Sequence, residues 1–222
     1  MPVLRSVRRM LARAQRRRRT ATSTDELGAS TLATDRRAGR PGPRLESAQL
    51  PPGLHRQPDA VSCGPSSAVM AEHLLAGGEI TDDFAERVSA RHRRTNRWRD
   101  PGGQWQLPWP RALGTQPWAL ARELSRPGIR YRVRFDDPSA RTRDLDEIVA
   151  AVRRGRPVVL YIGNALAPRH VVLVFAVTPG AAALRVYDPA TGGEVQVARR
   201  PYEAGQLRVA GWNEPWLAVL PY

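Results

Sequence analysis

Three apolar segments rich in valine follow one another in the second half of the chain and limit the folds open to it. They are PVVLYIG at 157–163, HVVLVFAV at 170–177 and LRVYDP at 184–189. Their length and their β-branched content predict strands. The segments ahead of them have helical spacing, so helices come first and strands last. That order predicts an α+β domain with helices packed on an antiparallel sheet, rather than alternating βαβ units.

Four segments ahead of these strands have the apolar spacing of helices. They are SSAVMAEHLLAGG at 66–78, residues 81–91 with Thr81 as N-cap, PWALARELS at 117–125 and DLDEIVAAVRRG at 144–155. Between the second and the third, residues 98–118 hold four tryptophans among prolines and glycines. We interpret these tryptophans as packing residues over the sheet, with stacking against a peptide as the alternative.

The positive charge of the chain is concentrated at its start. Residues 1–50 carry 12 arginines against 4 acidic residues, within a net charge of +14. Residues 1–20 combine these arginines with apolar residues at helical spacing, and residues 20–52 are rich in small and polar types. We therefore divide the chain into a basic, mostly disordered leader and linker at 1–52 and a folded domain at 53–222. The basic leader is a solvated tail or a weak contact for nucleic acid or an anionic membrane.

The chain contains one cysteine, Cys63. A single thiol excludes an internal disulfide and any zinc site that needs two thiolates, and we predict no metal and no cofactor. No apolar run is long enough to span a membrane and no signal peptide is visible, which predicts a cytoplasmic protein.

The residues around Cys63 predict a reactive thiol. Cys63 precedes Gly64 and Pro65, and proline is favoured in the first turn of a helix. The thiol therefore lies at a helix N-terminus, where unpaired N–H groups and the helix dipole favour the thiolate. The alternative is a buried, inert cysteine that packs as a small hydrophobic residue.

A thiol nucleophile needs a histidine base and a third group that orients it. Thr178, Pro179 and Gly180 form a turn signal, so the second and third strands should make a hairpin centred near Pro179. This register places His170 opposite Asp188. It also pairs Val172 with Val186 and Val174 with Leu184 in one apolar row. The alternative for the histidine and the aspartate is a structural ion pair at the end of the sheet.

Gln57 is the candidate for the remaining part of the site. It lies six residues before Cys63. The tetrahedral oxyanion of acyl transfer needs hydrogen-bond donors, and a side-chain amide together with the N–H of the nucleophile would supply them.

In this order, Gln57, Cys63, His170 and Asp188 resemble the site of papain-fold cysteine peptidases. The motifs are most similar to the bacterial peptidases that trim double-glycine leaders from bacteriocins. The resemblance rests on five segments, QPDAVSCGPSS at 57–67, GTQPWALAREL at 114–124, RRGRPVVLYI at 153–162, RHVVLVFAV at 169–177 and VYDPATGG at 186–193. Arg169 departs from the group, whose members often have a small residue before the histidine.

The resemblance implies a papain-like α+β fold, in which an N-terminal helix bearing Cys63 packs on an antiparallel sheet bearing His170 and Asp188. It also implies roles for the four residues: Cys63 as nucleophile, His170 as base and acid, Asp188 as the orienting group and Gln57 as oxyanion donor. The expected activity is that of a peptidase, amide hydrolase or acyltransferase acting on a peptide or protein. The alternative is a catalytically silent papain-fold binding or scaffolding module.

Overall fold

The computed structural model describes residues 48–53, 55–76, 80, 83–99, 105 and 114–222, together with positions 10 and 14. Most of the predicted leader and linker lies outside the described residues, as do Thr81, Trp109 and the glycine pair at 77–78. The division of the chain at residue 52 therefore stays a prediction.

Helices precede most of the strands, as predicted, and the described helices have the following bounds. They are α1 (Cys63–Ala76), α2 (Phe84–Thr95), α3 (Pro117–Leu124), α4 (Arg141–Arg153) and α5 (Arg199–Glu203). The second differs from its prediction, since the described helix runs from 84 to 95 rather than from 81 to 91, and its N-cap is Asp83. It continues past Arg91 because no glycine or proline interrupts it before Asn96.

Within the described residues, six strands form one antiparallel sheet. The strands are β1 (Tyr131–Phe135), β2 (Val158–Gly163), β3 (Pro168–Val177), β4 (Ala183–Asp188), β5 (Gly193–Ala198) and β6 (Glu214–Pro221). Their order across the sheet is β1-β6-β2-β3-β4-β5. The predicted α+β class is confirmed, and β2, β3 and β4 are the three strands that the sequence predicts. The sequence analysis missed β1, β5 and β6.

The predicted register of the β3–β4 hairpin is wrong by two residues. Val174 pairs with Val186 rather than with Leu184, and the register shifts between Val174 and Ala176. The turn itself lies further along the chain than predicted, because a short 3-10 helix at Pro179–Ala181 occupies the connection. Because side chains alternate with a period of two, a shift of two residues leaves each side chain on its predicted face.

The core lies in two layers, one on each face of the sheet. The first layer packs α1 against β3, with Val69, Met70, Val171 and Leu173 all 2% exposed or less. The second layer packs α4 and neighbouring segments against the other face, through Leu145, Ile148, Val152, Val172 and Val174. Burying each aliphatic side chain of this size contributes roughly 1.5 to 3 kcal/mol. Helix α1 is therefore fixed on β3. This packing also fixes the distance between the start of α1 and the start of β3.

Candidate active site

Cys63 is the first residue of α1, as the sequence predicts. The N–H of Ser66 donates to the carbonyl oxygen of Ser62 at 2.9 Å, which closes the first turn around the cysteine. The first turn contains no acidic side chain, so no carboxylate competes for the positive end of the helix dipole. Cys63 is 4% exposed and forms no disulfide.

The segment at 114–116 packs against the start of α1, and the sequence analysis did not single it out for the site. A Cβ added to Gly64 would lie 2.8 Å from the Cβ of Thr115, so the two backbones approach closely only because residue 64 is glycine. The hydroxyl of Tyr161, on β2, donates to the carbonyl oxygen of Thr115 at 2.7 Å. Burial, together with the charge of Cys63, raises the pKa of Tyr161 well above its usual value. Tyr161 therefore stays neutral and holds this segment against the helix.

His170 and Asp188 are in direct contact. Nε2 of His170 lies 2.7 Å from Oδ1 of Asp188, and the two residues are 7% and 1% exposed. In the observed register Asp188 lies diagonal to His170 rather than directly opposite, a separation that long side chains can bridge. The N–H of Ala190 donates to the same carboxylate oxygen at 3.0 Å, which fixes the orientation of the carboxylate.

The side chain of Cys63 lies close enough to the ring of His170 to help raise the pKa of the histidine. The structure thus brings Cys63, at the start of α1, beside the His170–Asp188 pair. The catalytic roles of these three residues stay predictions.

The surroundings of His170 and Asp188 shift the pKa values of both residues. Burial by itself lowers the pKa of His170, but the hydrogen bond to Asp188 and the nearby side chain of Cys63 outweigh it and raise the pKa to about 9. Burial raises the pKa of Asp188, whereas the hydrogen bonds from His170 and from the Ala190 N–H lower it, and the lowering prevails. At neutral pH the pair is an imidazolium and a carboxylate.

The backbone of Gln57 lies beside the turn that follows Asp188, but its side chain has another partner. Its Nε2 donates to the carbonyl oxygen of Asp59 at 2.7 Å. Its Oε1 is buried without a hydrogen-bond partner. One N–H of the amide is therefore left for a further acceptor, and the role of Gln57 as oxyanion donor remains a prediction.

The other three histidines do not join the site. His55 packs on the ring of Phe84 with centroids 5.4 Å apart, and His73 lies ten residues along α1 from the cysteine. His92 is buried on α2. The sequence analysis selected His170 alone as the base, and this role stays a prediction.

Three of the four tryptophans are exposed to solvent. Trp98, Trp105 and Trp118 are 63%, 71% and 42% exposed. The prediction that these tryptophans are packing residues is therefore wrong for these three, since so exposed a ring covers little of the core. Arg169, next to His170, is exposed as well.

No group of three or more His, Cys, Asp or Glu side chains within the described ranges is placed to bind a metal ion. None of the helices in that part of the chain is long and apolar enough to cross a membrane.

The raised pKa of His170 predicts a specific dependence of stability on pH. The folded pKa lies above the unfolded value of about 6.5, so the His170–Asp188 pair stabilises the domain fully below pH 6.5, and this contribution is lost as the pH rises through the folded pKa. Asp188 has the opposite sign, since its lowered pKa stabilises the domain above pH 4 and this contribution is lost in acid.

We expect this effect to be measurable by urea unfolding of the Cys63→Ala variant, in which the thiol no longer titrates beside the histidine. Between pH 7 and pH 9.5 the free energy of unfolding should fall by about 1 to 2 kcal/mol. The control is the Cys63→Ala, Asp188→Asn double variant, which keeps every other titrating group. An equal fall in both variants would show that Asp188 does not raise the pKa of His170.

Comparisons with known proteins place the domain beside peptidase domains of transporters. No protein-family model and no curated protein matches the chain. Among solved structures, the peptidase domain of Streptococcus ComA, a bi-functional ABC transporter involved in a quorum-sensing pathway, is 15% identical with a TM-score of 0.43, over 76% of this chain and 96% of that one. A double glycine motif protease from an AMS/PCAT transporter, solved in complex with the leader peptide, is 13% identical with a TM-score of 0.42. The match covers 77% of this chain and 91% of the protease. The peptidase domain of Streptococcus mutans ComA is 14% identical with a TM-score of 0.38. The match covers 76% of this chain and 98% of that domain.

Proposed function

We propose that the domain is a papain-like cysteine peptidase or amide hydrolase that acts on a peptide or protein through an acyl-enzyme at Cys63. The observation that supports this best is the buried hydrogen bond between His170 and Asp188, formed beside a cysteine that begins α1. A nucleophile, a base and a group that orients the base are the parts that covalent acyl transfer requires.

In the first half of the reaction the Cys63 thiolate attacks the carbonyl carbon of the scissile amide. The carbonyl π electrons move to oxygen, and the resulting oxyanion accepts hydrogen bonds from the N–H of Cys63 and the amide of Gln57. When the tetrahedral intermediate collapses, the C–N bond breaks and the imidazolium of His170 gives its proton to the leaving amine. The products of this half are a thioester on Cys63, a free amine and a neutral imidazole.

In the second half the neutral imidazole of His170 takes a proton from water, which attacks the thioester carbon. The C–S bond breaks and the thiolate and the imidazolium are restored. If an amine attacks in place of water, the same site catalyses acyl transfer. In this mechanism the role of Asp188 is to hold the ring of His170 beside Cys63.

The proposal is tested by trapping the thioester. The protein is incubated with a library of peptidyl coumarylamides varied at the residue before the amide, quenched in acid and weighed intact. We expect at least one library member to release coumarin and to leave an adduct with the mass of its acyl part on Cys63, the only cysteine in the chain. No adduct with any member, together with a thiol that does not react with iodoacetamide at neutral pH, would contradict the proposal.

A silent binding module is the second candidate, and one observation favours it. Cys63 is 4% exposed, so a substrate carbonyl reaches the sulfur only if the surrounding groups leave room for it. In a silent module the thiol would be inert toward small alkylating agents as well as toward peptides. Alkylation by iodoacetamide therefore discriminates between the two candidates before any substrate is known.

A further inference from the structure

The segment that carries Gln57 is held in place by the turn that follows β4. The N–H of Gln57 donates to the carbonyl oxygen of Pro189 at 2.8 Å, and the N–H of His55 donates to that of Gly192 at 3.3 Å. Between them, Nε of Arg56 donates to the carbonyl oxygen of Ala190 at 3.1 Å. Residues 55–57, which we call the glutamine strap, thus run along residues 189–192.

Tyr187 adds a hydrogen bond from beneath the glutamine strap. Its hydroxyl donates to the carbonyl oxygen of His55, and its side chain is fully buried in the first core layer. Burial, with the neighbouring charge of Asp188, raises the pKa of Tyr187 well above its usual value, so the hydroxyl remains a donor at neutral pH. Because Tyr187 cannot move within the core, the carbonyl that it binds is fixed relative to the sheet.

Gly192 allows the glutamine strap to lie directly on the turn. It has a φ of +77°, and a Cβ at this position would lie 2.7 Å from the backbone nitrogen of Arg56 and 2.9 Å from the carbonyl carbon of His55. Both the left-handed conformation and the lack of space therefore require glycine.

The turn at 189–192 also orients Asp188, the residue whose carboxylate binds His170. The N–H of Ala190 donates to the Asp188 carboxylate, and the N–H of Gly192 donates to the Asp188 carbonyl oxygen at 2.8 Å. One turn is therefore bonded both to the aspartate of the triad and to the segment bearing the predicted oxyanion donor.

We infer that Tyr187 is a positioning residue that, together with Gly192, holds the glutamine strap so that the amide of Gln57 is aimed at the oxyanion. The inference rests on the proposed function, and it adds that the backbone of the segment bearing the donor is located by the β4–β5 turn. Tyr187 touches no reacting atom, so its loss should weaken the binding of the oxyanion and leave the reactivity of the thiolate unchanged.

One assay measures the reactivity of the thiolate and the binding of the oxyanion separately. Iodoacetamide alkylates Cys63 by displacement of iodide, which forms no oxyanion and reports the thiolate alone. N-acetylglycinal adds reversibly instead: the sulfur bonds to the aldehyde carbon and the carbonyl oxygen takes the proton of His170, which gives a hemithioacetal whose oxygen lies where the substrate oxyanion would be. The aldehyde protects the thiol, so the alkylation rate measured against aldehyde concentration gives both the reactivity and the dissociation constant.

We expect Tyr187→Phe to weaken the binding of N-acetylglycinal about tenfold while its alkylation rate against pH superimposes on that of the native protein. Gln57→Ala sets the upper limit, with a loss of about 100-fold. The matched control is Tyr131→Phe, which removes another buried tyrosine hydroxyl, one that donates to the carbonyl oxygen of Pro157 at 3.0 Å. It should change neither quantity. Gly192→Ala is the second variant and should reproduce the effect of Tyr187→Phe through a different contact.

The outcomes are distinct. Unchanged aldehyde binding in Tyr187→Phe and in Gly192→Ala would overturn the inference and leave the proposed function standing. An equal loss of alkylation and of aldehyde binding would also overturn it, because the effect would then act through the triad. If the native protein neither alkylates at neutral pH nor binds the aldehyde, the proposed function fails and the inference fails with it.

Discussion

Replacing Cys63 with serine is expected to reduce the turnover of any amide substrate by about 10⁴-fold or more. A hydroxyl is a far weaker nucleophile than a thiolate, and it does not form an ion pair with His170 in the resting site. The change replaces one atom in a buried position at the start of α1, so the fold should be retained. The measurement is the hydrolysis rate of the best coumarylamide from the library, together with the thermal unfolding midpoint.

The chain offers a matched control for this variant on the same helix. Ser66 lies three residues after Cys63, is fully buried, and its hydroxyl has no hydrogen-bond partner. Ser66→Ala should keep the native hydrolysis rate and a native unfolding midpoint. A Cys63→Ser variant that retained full activity would show that the acyl-enzyme mechanism is wrong, and one that failed to unfold cooperatively would show that Cys63 is needed for packing instead.

The start of α1 could be predicted from the sequence because its signals are local. Pro65 is compatible with a helix only in the first turn, and the glycine before it marks the boundary. The chemical consequence, a thiol at the positive end of the helix, follows from those few neighbours. In contrast, α2 has no glycine or proline at either described end, and its bounds differ from the prediction by three or four residues.

The pairing of His170 with Asp188 was predicted from a register that the structure does not have. The contact survives because an error of two residues, unlike an error of one, preserves the face of each side chain. The shift between Val174 and Ala176 and the 3-10 turn that follows are the causes of the error. Neither has a signal in the apolar pattern, since both depend on how the two strands twist against the core.

Two of the three missed strands, β1 and β6, pair with each other although they lie far apart in the chain, whereas β5 pairs with its neighbour β4. Strand β6, at the end of the chain, lies between β1 and β2, and its sequence EPWLAVLP has a proline near each end. Proline in an apolar run argues against a central strand. Here Pro215 and Pro221 lie at the two ends of the strand, so the residues between them complete the hydrogen-bonded ladder.

Tertiary contacts also explain which site residues could not be found by pattern. Thr115 and Tyr161 meet the start of α1 only after β2 and the 114–116 segment pack beside it. The location of Gln57 depends on the β4–β5 turn, more than 130 residues away in the chain. Spacing from Cys63 suggested its role, whereas the contact of its amide with Asp59 could be found only in the folded molecule.

Replacing His170 with glutamine should lower the rate at which iodoacetamide alkylates Cys63 at pH 6.5 by about tenfold or more. With a pKa of about 9, His170 is an imidazolium at this pH, and its positive charge favours a thiolate beside it. Glutamine can donate an N–H to the buried Asp188 carboxylate but carries no charge. It is preferable to alanine, which would leave that carboxylate unpaired and destabilise the domain.

The pH dependence makes this prediction specific. In the glutamine variant the alkylation rate should rise with pH as the thiol ionises unaided, and it should meet the native rate near pH 9.5, where His170 is mostly neutral. The control is His73→Gln, which changes a half-buried histidine on α1, the helix that begins with Cys63. This variant should leave the native profile unchanged. Native and His170→Gln profiles that coincide over the whole pH range would show that no thiolate–imidazolium pair forms, and the domain would then have to be regarded as a binding module.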